Sequence, residues 1–347
     1  MHEGYWVRLG LLAVLFLARV AQASEPTVPE AAEWLASVRP CVELKEFLDG
    51  AMANFLAHDA KLRVAKVRVA LIDLTQGEPP RLADYHGTVP IYPASVVKFV
   101  YLMAAYRWQE EGRLRIEGSL DQELSEMIRQ SSNQATRKVF ARLTGTEPGP
   151  ELSPDAYRDF RERRLAVKRW LVSLGIEDLH CVNPTYDGNG DLFGRDRQFL
   201  RDATVPGGLG RSGGSASNRQ AMTAIGTAKL LALLATDRAL TPADSATVRA
   251  RMRRDPKEQH HLAARIAGGA ARIGGLEVYA KSGTWGPIYA DAGIVRHVAS
   301  GRQIVIVVFT EASPAYRGDF IAQLTAVSAE RMLVNAGSEN PLKRACK

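Results

Sequence analysis

Apolar positions along this chain follow two rhythms. Near its two ends they come as short β-branched runs, and between those they recur at three- and four-residue spacing. Lys66 to Leu74 predicts a strand. The turn residues Thr75 to Pro80 lead into a paired second strand over Leu82–His86. Three further runs, Gly275–Lys281, Tyr289–Val298 and Arg302–Thr310, are split by short turns such as Ala299-Ser300-Gly301 and read as an antiparallel meander. Helical spacing covers Cys41–His58, Asp121–Gln130, Asn133–Leu143 (stopped by Gly145), Ala156–Leu174, Thr223–Ala235, Pro242–Arg253 and a closing stretch, Asp319–Val334. The section Cys181–Arg219 is rich in Gly, Asp and Asn and lacks either rhythm. A loop of that length is usually functional or mobile.

Strands at both ends with helices inserted between them predict an α/β (α+β) fold. Its expected form is a five-stranded, mainly antiparallel sheet covered by terminal helices, with an inserted all-α lobe. The expected divisions are a leader over 24–40, a catalytic domain over 41–335 and a tail over 336–347. Within the domain, 41–94 and 262–335 form the α/β lobe and 95–261 the helical lobe.

Ahead of the leader, Arg8 is followed by the apolar run Leu9–Ala18 and by Ala21-Gln22-Ala23. That order reads as a secretory signal peptide over 1–23, too short and too interrupted by Arg19 to be a membrane span. The expected location is periplasmic or secreted. The net charge of +7 gathers in Arg clusters at 161–164 and 249–254. Acidic residues interleave them and aromatic ones do not, so they read as solvated helix faces, and no nucleic-acid partner is expected. Neither Cys41, Cys181 and Cys346 nor the seven His have metal-ligand spacing, so no metal or cofactor is expected. A Cys41–Cys346 disulfide with Cys181 free is expected, because the first and last helices would cover one sheet face. The chain is expected to be a monomer.

Candidate chemistry centres on Pro93-Ala94-Ser95-Val96-Val97-Lys98, which opens an apolar helical run. At i and i+3 on a helix the Ser95 hydroxyl and the Lys98 amine share a face. Apolar surroundings lower a lysine's pKa, so its free amine can take the hydroxyl proton. Two further elements accompany this pair: Ser131-Ser132-Asn133 in a break between helices, and Lys281-Ser282-Gly283-Thr284 at the end of a strand. With these three motifs in this order, the chain resembles the serine β-lactamase and penicillin-binding protein family, nearest to class A β-lactamases, over roughly 41 to 335.

The resemblance implies a nucleophile at Ser95, a base at Lys98, a proton relay at Ser131 and a cation at Lys281. It implies an oxyanion hole from the Ser95 and Thr284 N–H groups, with Asn133, Ser282, Gly283 and Thr284 binding substrate. The expected substrate is a small β-lactam or a muropeptide. Three departures stand out. Ser132 replaces the usual Asp. Asn183-Pro184 falls where class A enzymes carry Glu-Pro, leaving Asp187 or Glu177 as replacement bases. No Arg lies between Trp285 and Asp291 to bind a substrate carboxylate. A D,D-peptidase or a binding protein without turnover therefore stays open beside the β-lactamase. Gly210-Arg211-Ser212-Gly213-Gly214 fits a nucleophile elbow and Gly208 to Gly213 a dinucleotide fingerprint, but neither has the strand and helix such motifs need.

Overall fold

The strand read at residue 66 lies inside the sheet. In a computed structural model, which describes residues 28–74, 79–186, 192–210, 218–255, 257 and 260–334, β2 (Lys66–Asp73) is buried at every position after Lys66. It pairs antiparallel with β3 (Arg81–Tyr85) on one side and β8 (Gln303–Glu311) on the other. β7 (Ile288–His297) joins β8, and β6 (Leu276–Trp285) joins β7 as an edge strand. Strands covered on both faces lose their alternation, which is why these runs read as continuous apolar stretches. Among the described residues the sheet has six strands, one more than expected. The addition is β1 (Arg39–Pro40), which pairs parallel to β3 and is too short to leave a periodic signature.

One face of the sheet is covered by α2 (Val42–His58), α12 (Ile266–Ile273) and α13 (Phe320–Ala329). Leu44, Leu48 and Met52 share a core there with Phe320, Ile321 and Leu324. Phe55 meets Phe320 edge to face at 5.4 Å, so the first expected helix and the last do share a face. The short α3 (Ala60–Arg63) follows α2, and a π-type turn, Glu330–Val334, extends α13.

Against the other face lie α1 (Val28–Ala36), α4 (Lys98–Glu110) and α10 (Ala224–Ala235), in a core with Ala70, Ile72, Val305 and Val307. The stretch expected to be a leader thus contributes a helix, with Ala31 and Leu35 buried. α10, expected in the helical lobe, packs on the sheet because it is apolar all round.

The helical lobe holds α5 (Gly118–Arg129), α6 (Asn133–Thr144), α7 (Pro154–Arg164), α8 (Ala166–Ser173) and α11 (Pro242–Met252). One helix was expected over 156–174, and Leu165 divides it. The halves bury stripes against different partners. Phe160 joins Val182, Phe199 and Val205, whereas Val167 and Leu171 join the main core.

The irregular section 181–219 is more ordered than its composition suggests. Its neck is closed by β4 (Leu179–His180) pairing with β5 (Ala221–Met222), and it carries α9 (Gly194–Arg201). Arg164, 1% exposed, pairs with Asp196 at 2.5 Å inside a nest of Phe140, Phe160 and Phe199 rings. Cys41 is disulfide-bonded and Cys181 is a buried free thiol. Cys346, the signal peptide over 1–23, the tail over 336–347, Asp187 and Ser212 lie outside the described residues.

Candidate active site

Ser95 sits in a 3₁₀ turn, Ala94–Val97, that runs directly into α4, rather than on the α-helix itself. Ala94 precedes it with φ 49°, a left-handed conformation that a non-glycine residue adopts only when its surroundings hold it there. The surroundings are β6. A Cβ built on Gly283 would fall 2.7 Å from Pro93 O, 3.0 Å from Val96 Cγ2 and 3.2 Å from Ser95 N. Only a residue without a side chain lets the strand approach the Ser95 turn this closely.

The same approach brings two amides together. Trp285 and Ile288 flank the two-residue turn Gly286–Pro287. Counting back along an antiparallel ladder from that closing pair, the Thr284 N–H points out of the free edge of β6, towards the Ser95 turn. This is the geometry the expected oxyanion hole needs.

Lys98 begins α4 with no exposed surface. Its Nζ donates to Ser131 O at 2.5 Å, Asn133 Oδ1 at 2.8 Å and Ser131 Oγ at 3.3 Å. The Ser95 hydroxyl is not among its hydrogen-bond partners, so the expected pair shares a face without a direct bond. Ser131 is held at φ 57° in the break before α6, a second strained position at the site. Ser132, where the family has Asp, caps α6 by accepting from Ala135 N at 3.1 Å. On the other side, Lys281 Nζ donates to Ser131 Oγ at 3.0 Å and to Ser282 O at 2.9 Å.

Burial lowers both lysines. Lys98 falls to about 7. Lys281 falls well below its usual value, first through burial and then through the nearby charge of Lys98. A buried amine near 7 is a usable base at neutral pH.

Two arginines complete the cationic wall: Arg254, expected on a solvated helix face but buried, and Arg265, which was not singled out in the sequence. Arg254, buried in the lobe junction, donates to Ala280 O at 3.0 Å and to Ile128 O at 2.7 Å, tying β6 to α5 beside Lys281. Arg265, at the start of α12, donates to Thr284 Oγ1 at 2.6 Å, while its Nε has no partner. A guanidinium thus stands beside Thr284 although no Arg lies between Trp285 and Asp291. The available signal was a lone Arg inside the apolar run Leu262 to Ala267. Trp285, 52% exposed, packs edge to face on Tyr92 at 5.2 Å, with the Arg219 guanidinium over the Tyr92 ring at 4.7 Å.

Of the expected candidates for a deacylating base, Asp187 lies outside the described residues, and neither Asn183 nor Glu177 is bonded to the site. Asn183 is locked into the neck of the loop. Its carbonyl accepts from Tyr101 OH at 2.5 Å and from Gln220 at 2.8 Å, and its Nδ2 donates to Asn218 O at 2.9 Å. No hydrogen bond joins it to Ser95, Lys98 or Ser131. Glu177 is exposed in the turn after α8. The loop reaches the site through Tyr186, whose carbonyl accepts from Asn133 Nδ2 at 3.4 Å. Among the described residues no cluster of His, Cys, Asp and Glu is placed to hold a metal, and no helix is long and apolar enough to cross a membrane.

This fold is that of the serine β-lactamases. It is similar to the structure of PBP-A (TM-score 0.55, 16% identity, covering 84% of this chain and 97% of that one). It is also similar to a β-lactamase from Sphaerobacter thermophilus DSM 20745 (0.57, 18%, 82% and 97%) and to one from Xanthomonas campestris pv. campestris (0.58, 14%, 83% and 98%). At such identities these likenesses speak for the fold alone. Residues 163–332 match the model of the family described as "Beta-lactamase enzyme family". Among curated proteins none is significantly similar in sequence. The family match and the fold together support a serine β-lactamase-like hydrolase.

Proposed function

We propose that this protein is an exported enzyme of the class A type that opens β-lactam amides through an acyl-enzyme on Ser95 and releases the product slowly. The observation that carries the reading is the position of Ser131 Oγ, which accepts hydrogen bonds from Lys98 and Lys281 beside a nucleophile turn seated on Gly283. With both acceptor sites of the hydroxyl engaged, its own proton is left to point into the cleft.

In the proposed reaction the free amine of Lys98 takes the Ser95 proton as Oγ attacks the lactam carbonyl. The developing oxyanion is met by the Ser95 and Thr284 N–H groups, each worth about 2.7–4 kcal/mol in comparable sites. Ser131 delivers a proton to the departing nitrogen and regains one from a lysine. The substrate carboxylate is drawn to Lys281, Ser282, Thr284 and Arg265, and Asn133 holds the side-chain amide. A mutant of the similar protein PBP-A is described as an acyl-enzyme complex with penicillin G, in keeping with a covalent step on this fold. Slow deacylation is inferred because neither described candidate offers a base at the site: Asn183 is an amide locked into the loop neck, and Glu177 is exposed after α8.

A second reading, a D,D-peptidase acting on muropeptides, draws on the same acyl-enzyme and on the likeness to PBP-A. Nitrocefin turnover measured beside release of D-Ala from a cell-wall pentapeptide separates the two. The β-lactamase reading requires the first to exceed the second, and efficient D-Ala release with only stoichiometric nitrocefin consumption favours the peptidase.

A further inference from the structure

A cavity of about 290 Å³ opens where β2 begins and β3 ends. It is separate from the catalytic cleft. The register Thr284–Tyr289–Thr310–Val67 puts it at the same end of the sheet, three strands from β6. At about 4.8 Å per strand that is roughly 14 Å away. Three basic side chains, Arg63, Lys66 and Arg68, line it together with Tyr85, His86 and Val89.

The guanidinium of Arg68 is under-satisfied. It is 7% exposed, its Nε has no partner, its bond to Lys66 O is a long 3.5 Å, and its ion pair with Glu311 is 3.8 Å. An arginine carries five N–H donors, and burying one without acceptors is costly. Burial accordingly lowers the Arg68 pKa, with only Glu311 opposing. Arg63 spends its donors on neutral acceptors, Leu56 O at 2.9 Å and Ala57 O at 2.8 Å, so its charge is not cancelled there. Beside these cations the rings of Tyr85 and His86 meet at 4.4 Å, and Val89 is 43% exposed. His86, which lines the cavity, is held at φ 50°, a left-handed conformation uncommon outside glycine.

We propose that this cavity binds a small organic anion, a carboxylate or sulfonate carried on a planar apolar body. The charged end meets Arg68 and Lys66, and the flat body lies against Tyr85, His86 and Val89.

The test is calorimetric titration of the full chain with 2-naphthoate, with neutral 2-naphthamide as the paired probe. The naphthoate is expected to bind, and the amide to bind at least about tenfold more weakly, as loss of a charge-assisted hydrogen bond implies. Arg68→Met is expected to weaken naphthoate about tenfold. Lys66→Glu, a change at an exposed position that leaves the core intact, is expected to weaken it by about threefold or more. Lys281→Met, in the catalytic cleft, is expected to leave it unchanged. Absence of naphthoate binding, equal affinity for the amide, unchanged binding to Lys66→Glu, or loss of binding in Lys281→Met would each overturn the proposal. None of these outcomes depends on chemistry at Ser95.

Discussion

Lys98 and Lys281 donate to one oxygen, Ser131 Oγ, at 3.3 and 3.0 Å. Two ammonium groups converging on one hydroxyl repel each other, and burial raises the cost of charging either. Burial pushes both lysines down, the charge of Lys98 lowers Lys281 further, and the hydroxyl between them is a junction through which a proton can pass. Ser131→Ala removes that junction without opening a large cavity. Acylation by benzylpenicillin is expected to slow by about 10²–10⁴-fold, the usual worth of a positioned proton donor. Stopped-flow acylation kinetics check this, and a loss under about threefold would remove Ser131 from the proton path.

The pH dependence follows from Lys98. Its amine works as a base only when free, and burial sets its pKa at about 7. The acylation rate is expected to climb between pH 5.5 and 8.5 with a midpoint of about 7. The same depression affects stability. Below pH 7 the lysine is protonated both folded and unfolded, and the full cost of its buried charge is present. From about 7 towards the unfolded value of 10.5 the unfolded chain binds more protons, so this group's contribution to stability rises with pH. A flat acylation profile would assign the base elsewhere.

Gly283→Ala tests the seat of the nucleophile. The added methyl meets Pro93 O at 2.7 Å, backbone that cannot swing aside. Either β6 or the Ser95 turn must move, and the two oxyanion donors separate. Acylation is expected to fall at least about 10²-fold, the effect of losing one such donor. Overpacking is expected to cost about 1–3 kcal/mol in urea unfolding.

Arg265→Met is expected to act on binding. The guanidinium touches Thr284 Oγ1 at 2.6 Å and stands where a substrate carboxylate would lie. KM for penicillins should rise by about 10-fold or more while kcat changes little, since an exchange of charge-assisted hydrogen bonds is worth about 1.5–3 kcal/mol. Steady-state kinetics decide, and a fall in kcat at constant KM would contradict the role.

How much of this was legible beforehand depends on what each residue had to do. Ser95, Lys98, Ser131, Asn133 and Lys281 could be singled out because each motif sits at the edge of an element that announces itself, and the last four are joined by hydrogen bonds. Arg265 was not, since it reaches the site from α12, and nothing in its neighbours specifies a target. Arg164 read as one charge in a solvated cluster, yet it is buried among three aromatic rings. Sequence alone does not tell a surface arginine from one whose partner, Asp196, arrives from a distant loop. The long loop was likewise read as irregular because α9 buries only a few side chains, Phe199 and Leu200 among them.

The most direct measurement of the central claim is time-resolved intact-mass spectrometry of the protein mixed with benzylpenicillin, followed by peptide mapping. The account predicts one covalent equivalent formed rapidly on Ser95, decaying slowly, and absent from Ser95→Ala. An adduct on another residue, or one that persists in Ser95→Ala, would contradict it.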